Sequence, residues 1–152
     1  MQKFHSKNLR RHRCSLPYHC YLLTTITYKR RSIFSDFHAA RLCIQGLRLQ
    51  QERGIAKTMA FVIMPDHVHW LVQLQQSDLA IVMHAMKGGV ARKVNRYLGT
   101  SGRVWQAGYH DHALRREEDV RQVARYMVAN PLRAGLVSDI CNYPHWDAVW
   151  ME

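Results

Sequence analysis

Two histidines one residue apart, His67 and His69, follow a Pro65-Asp66 pair within the apolar run Phe61-Val62-Ile63-Met64-Pro65-Asp66-His67-Val68-His69-Trp70-Leu71-Val72. An extended strand sends alternate side chains to opposite faces, so with Val68 in the core both imidazoles lie on the other face. Two imidazoles placed in this way can chelate one divalent metal ion. By residue type alone the pair also reads as two half-buried histidines satisfied by their neighbours. Its position directly after a tight turn, in a chain with 10 histidines, turns the reading toward chemistry.

A metal site needs a third ligand, and a reaction there needs a nucleophile. Tyr126 and Asn130 stand four residues apart in a segment with helical character and so share a face, with Gln122 one turn earlier. A helix lying under the sheet would offer the Asn130 Oδ1 to the metal and aim the Tyr126 hydroxyl at a bound substrate. The same spacing suits an ordinary amphipathic tyrosine at a helix–sheet interface. Tyr97, Tyr109 and Tyr143 do not combine helix placement with a polar residue one turn on. A free phenol titrates near ~10, so the metal or a base must help ionise it. His110, Asp111 and His112 are the candidates, and nothing in the sequence chooses among them.

The elements that must position these groups follow from periodicity. Residues 18–28 are β-branched and aromatic and read as a strand. Ser35 or Asp36 looks like a helix N-cap, and the helix should run to about Glu52, burying Phe37, Ala40, Ile44 and Leu47, with Gly54 stopping it. Residues 55–63 and 67–74 are two further strands joined by the Pro-Asp turn. Ser77 or Asp78 caps a second helix with Leu79, Val82, Met83, Met86, Val90 and Val94 inward. Gly88-Gly89 within it costs about 1 kcal/mol per glycine relative to Ala and allows close approach of a backbone or ligand, or a bend, or simply a loose helix–sheet contact. Residues 99–108 form a loop, and 109–115 a short fourth strand. Glu117, Glu118 and Asp119 open a third helix, where its dipole favours acids, and Asn130-Pro131 ends or kinks it. Residues 132–152 read as an irregular tail packed across the sheet. The order matches the β-α-β-β-α-β pattern of ferredoxin-like folds. The expectation is one α+β domain over 1–152, a two-layer sandwich with an antiparallel sheet, helices on one face and an extra C-terminal active-site helix.

The chain of 152 residues is long enough for a substantial core, with 47% hydrophobic and 22% charged residues. Its net charge of +11, from 22 Lys and Arg against 11 Asp and Glu, points to a polyanion such as DNA or RNA. An anionic membrane is disfavoured, since no apolar run approaches the ~20 residues of a span. Residues 1–17 form a basic arm that lies along phosphates or is a solvated tail. Lys29, Arg30, Arg31, Lys87, Arg92, Lys93 and Arg96 are the phosphate-contact candidates, with Trp105 and Tyr109 as base-stacking or core aromatics. Cys14, Cys20, Cys43 and Cys141 match no zinc framework and read as reduced, mostly buried thiols. No signal peptide is visible, and a cytoplasmic location is expected.

His67-Val68-His69 is a His-hydrophobic-His (HUH) motif. The segment from Met64 to Trp70 that holds it, then Val104-Trp105-Gln106-Ala107-Gly108-Tyr109-His110-Asp111-His112-Ala113-Leu114-Arg115, then Ala124-Arg125-Tyr126-Met127-Val128-Ala129-Asn130-Pro131-Leu132-Arg133-Ala134-Gly135-Leu136-Val137, in this order, resemble the REP-associated tyrosine transposases, bacterial members of the single-tyrosine HUH transposases. The resemblance covers roughly residues 14–146. It implies that His67 and His69 bind the metal, that Tyr126 is the catalytic tyrosine, and that Asn130 stands where the wider superfamily has a polar third ligand, often Gln. Two imidazoles and an amide suit Zn or another borderline metal by ligand softness; the resemblance implies Mg²⁺ or Mn²⁺. It further implies cleavage and strand transfer of single-stranded DNA at REP hairpins through a 5′-phosphotyrosine, by a nucleoid-associated protein that is monomeric rather than dimeric. The alternatives are a non-catalytic hairpin-binding module and a metal-dependent phosphohydrolase in which water attacks.

Overall fold

The computed structural model describes residues 19–150. Within them run β1 (Cys20–Ile26), α1 (Phe37–Glu52), β2 (Ala56–Ile63), β3 (His67–Leu74), α2 (Leu79–Leu98), β4 (His110–Leu114), α3 (Glu117–Val128), a one-turn α4 (Asn130–Arg133) and β5 (Trp146–Ala148). The five strands form one antiparallel sheet in the order β4-β1-β3-β2-β5. The first four strands have the ferredoxin-like arrangement, and the histidine strand β3 is central. The basic arm, including Cys14, lies outside the described residues.

The helices start and stop where the sequence signals them. Asp36 accepts from the Ala39 amide to cap α1, and Asp78 accepts from the Ile81 amide to cap α2. Each carboxylate satisfies an amide that the first helical turn leaves unpaired. Gly99, at φ 66°, closes α2 in the left-handed conformation that glycine adopts without a Cβ clash.

The alternation of β3 divides the core. Val68, Trp70, Val72 and Leu74 face α1 and α2, where they pack with Leu23, Ile44, Leu47, Met83, Met86 and Val90. The indole of the buried Trp70 donates to the Thr58 hydroxyl at 2.9 Å. Leu71 faces the other layer with Val62, Leu114, Val120, Ala124, Met127 and Val128, so α3 covers the opposite face of the sheet. All six inward positions expected for α2 are buried.

Three expectations change, and one of the alternatives left open falls away. Phe37 is 61% exposed: at the first position of α1 its ring lies beside Arg41 and His145 at the surface instead of entering the core. Among the described cysteines only Cys43 is buried, while Cys20 is half-buried and Cys141 exposed. The expected irregular tail contains β5, which pairs Trp146 with Val62 and Ala148 with Ala60 along the free edge of β2. Finally, Gly88-Gly89 brings no backbone close, because a Cβ on either would meet only the Arg92 guanidinium. The close approach is at Gly46, where a Cβ would lie 2.4 Å from Val90 Cγ2, so that α1 and α2 pack through a glycine.

Candidate active site

The turn before β3 is braced from three sides. The Thr27 amide donates to the Asp66 carbonyl at 2.9 Å, the Phe34 amide donates to the Pro65 carbonyl at 3.0 Å, and the Met64 amide donates to the His67 carbonyl at 2.8 Å. The C-terminal segment adds to this: the Ile63 amide donates to the His145 carbonyl at 2.9 Å, and the Tyr143 hydroxyl donates to the Ile63 carbonyl. The histidine pair thus leaves a fixed corner.

His67 and His69 project from the same face of β3, with ring centroids 4.9 Å apart and planes at 82°. Each ring is held at its Nδ1. Asp66 Oδ1 lies 2.7 Å from His67 Nδ1, and Thr24 Oγ1, directly across on β1, lies 2.9 Å from His69 Nδ1. In the tautomer in which both Nδ1 atoms donate, both Nε2 lone pairs point away from these partners and could serve a metal, the carboxylate behind His67 fixing that ring's orientation. Burial alone would raise the Asp66 carboxyl, but the bond and charge of His67, with those of Arg30 at 3.3 Å, hold it below the ordinary carboxylate range. Burial, then the charges of His67 and Arg133, push His69 down to about 4, so near neutrality it is the uncharged imidazole that metals require.

Tyr126 lies on the last turn of α3, on the side away from the buried Val120, Ala124 and Met127, and is 67% exposed. Asn130 follows one turn on and is half-buried. Arg133 joins the two. Its guanidinium carbon sits 3.7 Å from the Tyr126 ring centroid, and its Nη2 donates to both the Asn130 Oδ1 and the Tyr126 carbonyl. Among the described residues no hydrogen bond or ring contact joins Tyr126 to either histidine; the charge of Arg133, felt by His69, links the two groups. Two other tyrosines are engaged elsewhere, Tyr97 on Asp36 Oδ2 at 3.2 Å and Tyr143 on the Ile63 carbonyl.

Sheet register separates the three candidate bases. His110 stands opposite Thr24 and His112 opposite Leu22, on the histidine face, whereas Asp111 stands opposite Leu23 and takes the other face. His112 also lines an open groove of about 650 Å³ together with Leu22, Arg115, Arg116, Gln122 and Tyr126. That groove is large enough for a nucleotide-sized ligand.

The basic candidates fall into distinct places. Lys29, Arg30 and Arg31 form the turn after β1, where Lys29 and Arg30 hold left-handed φ values of 55° and 51°. Such a conformation in two successive non-glycine residues stores strain of the kind found at binding sites. Lys29, Arg31 and Arg103 all lie within 6 Å of the Tyr28 ring. Arg92, Lys93 and Arg96 are exposed on α2, in the layer across the sheet. Lys87 is tied down, its ammonium donating to the Gln106 carbonyl at 3.0 Å and to the Gly108 carbonyl at 2.6 Å. Trp105 is core: it is buried, packs on Phe34 and donates to the Lys87 carbonyl.

Thr24, Arg103 and Arg133 enter the site only with the structure, and so does the role of Asp66. Arg133 had a signal: it is seven residues after Tyr126 and three after Asn130, on the same helical stripe. Thr24 had none, because only strand register brings it to His69.

Among the described residues no cluster of three His, Cys, Asp or Glu side chains could hold a metal. Two imidazole nitrogens and the Asn130 amide oxygen would be a chemically suitable donor set.

A family model described as "Transposase IS200 like" matches residues 14–130. The chain is 28% identical over 100 residues to a Haemophilus influenzae protein named as a REP-associated tyrosine transposase, the match covering 59% of this chain and 57% of that one. It is 25% identical over 85 residues to the REP-associated tyrosine transposase of Escherichia coli, covering 56% and 50%. The matches thus span about half the length of these relatives. A solved REP-associated tyrosine transposase bound to a REP hairpin superposes with a TM-score of 0.75 at 19% identity, over 96% of this chain and 82% of that one, and so shares the fold.

Proposed function

We propose that this chain, which belongs to the family of IS200-like transposases, cleaves and rejoins single-stranded DNA beside hairpins of the REP type, with Tyr126 as the nucleophile. The observation that carries the reading is the histidine pair, with each ring held at its Nδ1, on the sheet face that α3 covers. His67, His69 and Asn130 would hold a divalent ion, Mg²⁺ or Mn²⁺ by the family resemblance. Bound there, it would supply Lewis-acid stabilisation of the charge that develops on a phosphodiester oxygen.

The protein's own groups account for the rest. Tyr126 Oη attacks phosphorus as the bond to the 3′ oxygen breaks, and its proton passes to a base. His112 and Asp119 both line the Tyr126 groove, and of the two His112 lies on the histidine strand's own sheet face. The leaving oxygen takes up a proton and becomes a free 3′-OH. The 5′-phosphotyrosine is itself a phosphodiester, so attack by another 3′-OH reverses the step without ATP. The exposed cations of the 29–31 turn and of α2 would bind the hairpin backbone.

One observation favours a second reading. Among the described residues no hydrogen bond or ring contact joins Tyr126 to either histidine, which suits a phosphohydrolase in which water attacks. A hairpin oligonucleotide labelled at its 5′ or 3′ end, incubated with Mn²⁺ and run on a denaturing protein gel, separates the two. Tyrosine attack gives a shifted band carrying only the 3′-side label, absent in Tyr126→Phe. Cleavage that survives Tyr126→Phe with no adduct would select water. Binding with neither adduct nor cleavage would leave a hairpin-binding module.

A further inference from the structure

The helix that carries the nucleophile leaves it poorly held. Tyr126 is 67% exposed, and its ring has no partner in the α3–sheet core. A ring so exposed on a last helical turn samples several orientations, while in-line attack requires one. Arg133 supplies what the core does not. The chain remains close to helical through Ala129, at φ −79° and ψ −3°, so residues 126, 130 and 133 stay on one stripe across the α3–α4 junction. The guanidinium lies over the phenol face, and a single nitrogen bridges the Tyr126 carbonyl and the Asn130 Oδ1. A guanidinium has five N–H donors and no acceptor, so it can bond the amide of Asn130 only through oxygen, which fixes which end of that amide is which. An amide oxygen has a second lone pair, so the bond leaves Oδ1 able to accept or ligate once more.

We propose that Arg133 is the positioning residue of this site: it clamps the Tyr126 ring and sets the Asn130 amide in one rigid frame, so that nucleophile and third ligand are presented together. This rests on the reading of Tyr126 as nucleophile. A plainer role would be that of a helix C-cap, in which Arg133 serves only the Tyr126 carbonyl. The two differ in what they predict.

The test compares wild type, Arg133→Ala and Arg133→Lys in full-length protein. The first readout needs no metal and no turnover. In protein labelled with ¹³C in its tyrosine rings, the Tyr126 signal is assigned by its loss in Tyr126→Phe. It should move to the position of a freely solvated tyrosine in Arg133→Ala. The second is the split between binding and chemistry on a hairpin oligonucleotide: kcat for adduct formation should fall about 100-fold, the scale of a misplaced reacting group, with hairpin Kd unchanged at matched salt. Added guanidinium ion, below denaturing concentrations, should restore part of the loss in Arg133→Ala. Arg133→Lys keeps the charge without the planar fork and should stay nearer to the Ala variant than to wild type. An unmoved Tyr126 signal, an unchanged kcat, or a lysine variant equal to wild type overturns the proposal and leaves the cap. If wild type forms no tyrosine adduct under any condition, the nucleophile reading falls and this inference falls with it.

Discussion

At the scale of single residues, the site is defined less by its two histidines than by what stands behind them. A histidine on a strand can rotate and can carry its proton on either nitrogen. The carboxylate of Asp66 removes both freedoms from His67, and the contact with Thr24 fixes the rotation of His69, its hydroxyl being able to donate or accept. Asp66 has two duties, since its second oxygen takes Arg30 from the basic turn. Loss of an orienting partner of this type typically weakens metal affinity by about 10–100-fold. Asp66→Asn should therefore weaken Mn²⁺ binding by about that factor, as measured by titration of the DNA-free protein, with little change in thermal stability, because the Arg30 pair is exposed and worth under about 1 kcal/mol. An Mn²⁺ affinity equal to wild type would remove Asp66 from the site. The adjacency of Asp66 and His67 was open to inspection in the sequence. The Thr24 contact was not, since it arises from a pairing 45 residues apart whose register is set by the whole sheet.

At the scale of elements, the sequence was most readable where a local device sets the boundary. The caps Asp36 and Asp78 and the left-handed Gly99 each act within one turn, so their meaning can be taken from neighbours alone. It was least readable where the determining partner is distant. The Gly88-Gly89 pair attracts notice by composition, yet Gly46, in no motif, is the glycine on which the α1–α2 contact depends. β5 likewise is only three residues long, too short for periodicity to reveal, and forms because the β2 edge is there to pair with. This leads to opposite expectations for the same substitution. Gly46→Ala must displace Val90, whose β-branched side chain has little rotamer freedom in a helix, and should lower stability by about 1–3 kcal/mol. Gly88→Ala or Gly89→Ala meets only a mobile guanidinium and should raise stability by about 0.4–1 kcal/mol. Chemical denaturation of the three variants decides this, and a Gly46→Ala protein as stable as wild type would show that α1 and α2 can separate freely.

At the scale of the whole molecule, a net charge of +11 favours a polyanionic partner without saying where it would lie. The fold divides the candidates. Lys29 and Arg31 stand with Arg103 around Tyr28, on a turn that bonds directly to the Asp66 corner of the histidine site. Arg92, Lys93 and Arg96 lie on α2, across the sheet from Tyr126. Lys87 is spent on two loop carbonyls. No helix among the described residues is long and apolar enough to cross a membrane. For single-stranded nucleic acid, removing one cation from a phosphate should flatten the dependence of log K on log salt by about 0.7. Lys29→Gln with Arg31→Gln should thus reduce the slope by about 1.4 and weaken cleavage together with binding, since the strand would no longer be led past the histidines. Lys87→Gln should leave the slope alone and lower thermal stability, since two loop carbonyls are deprived of their donor. If instead Arg92→Gln with Lys93→Gln carries the change in slope while the turn variant is neutral, the hairpin lies along the helical layer, and the scissile strand must reach Tyr126 around the β4 edge of the sheet.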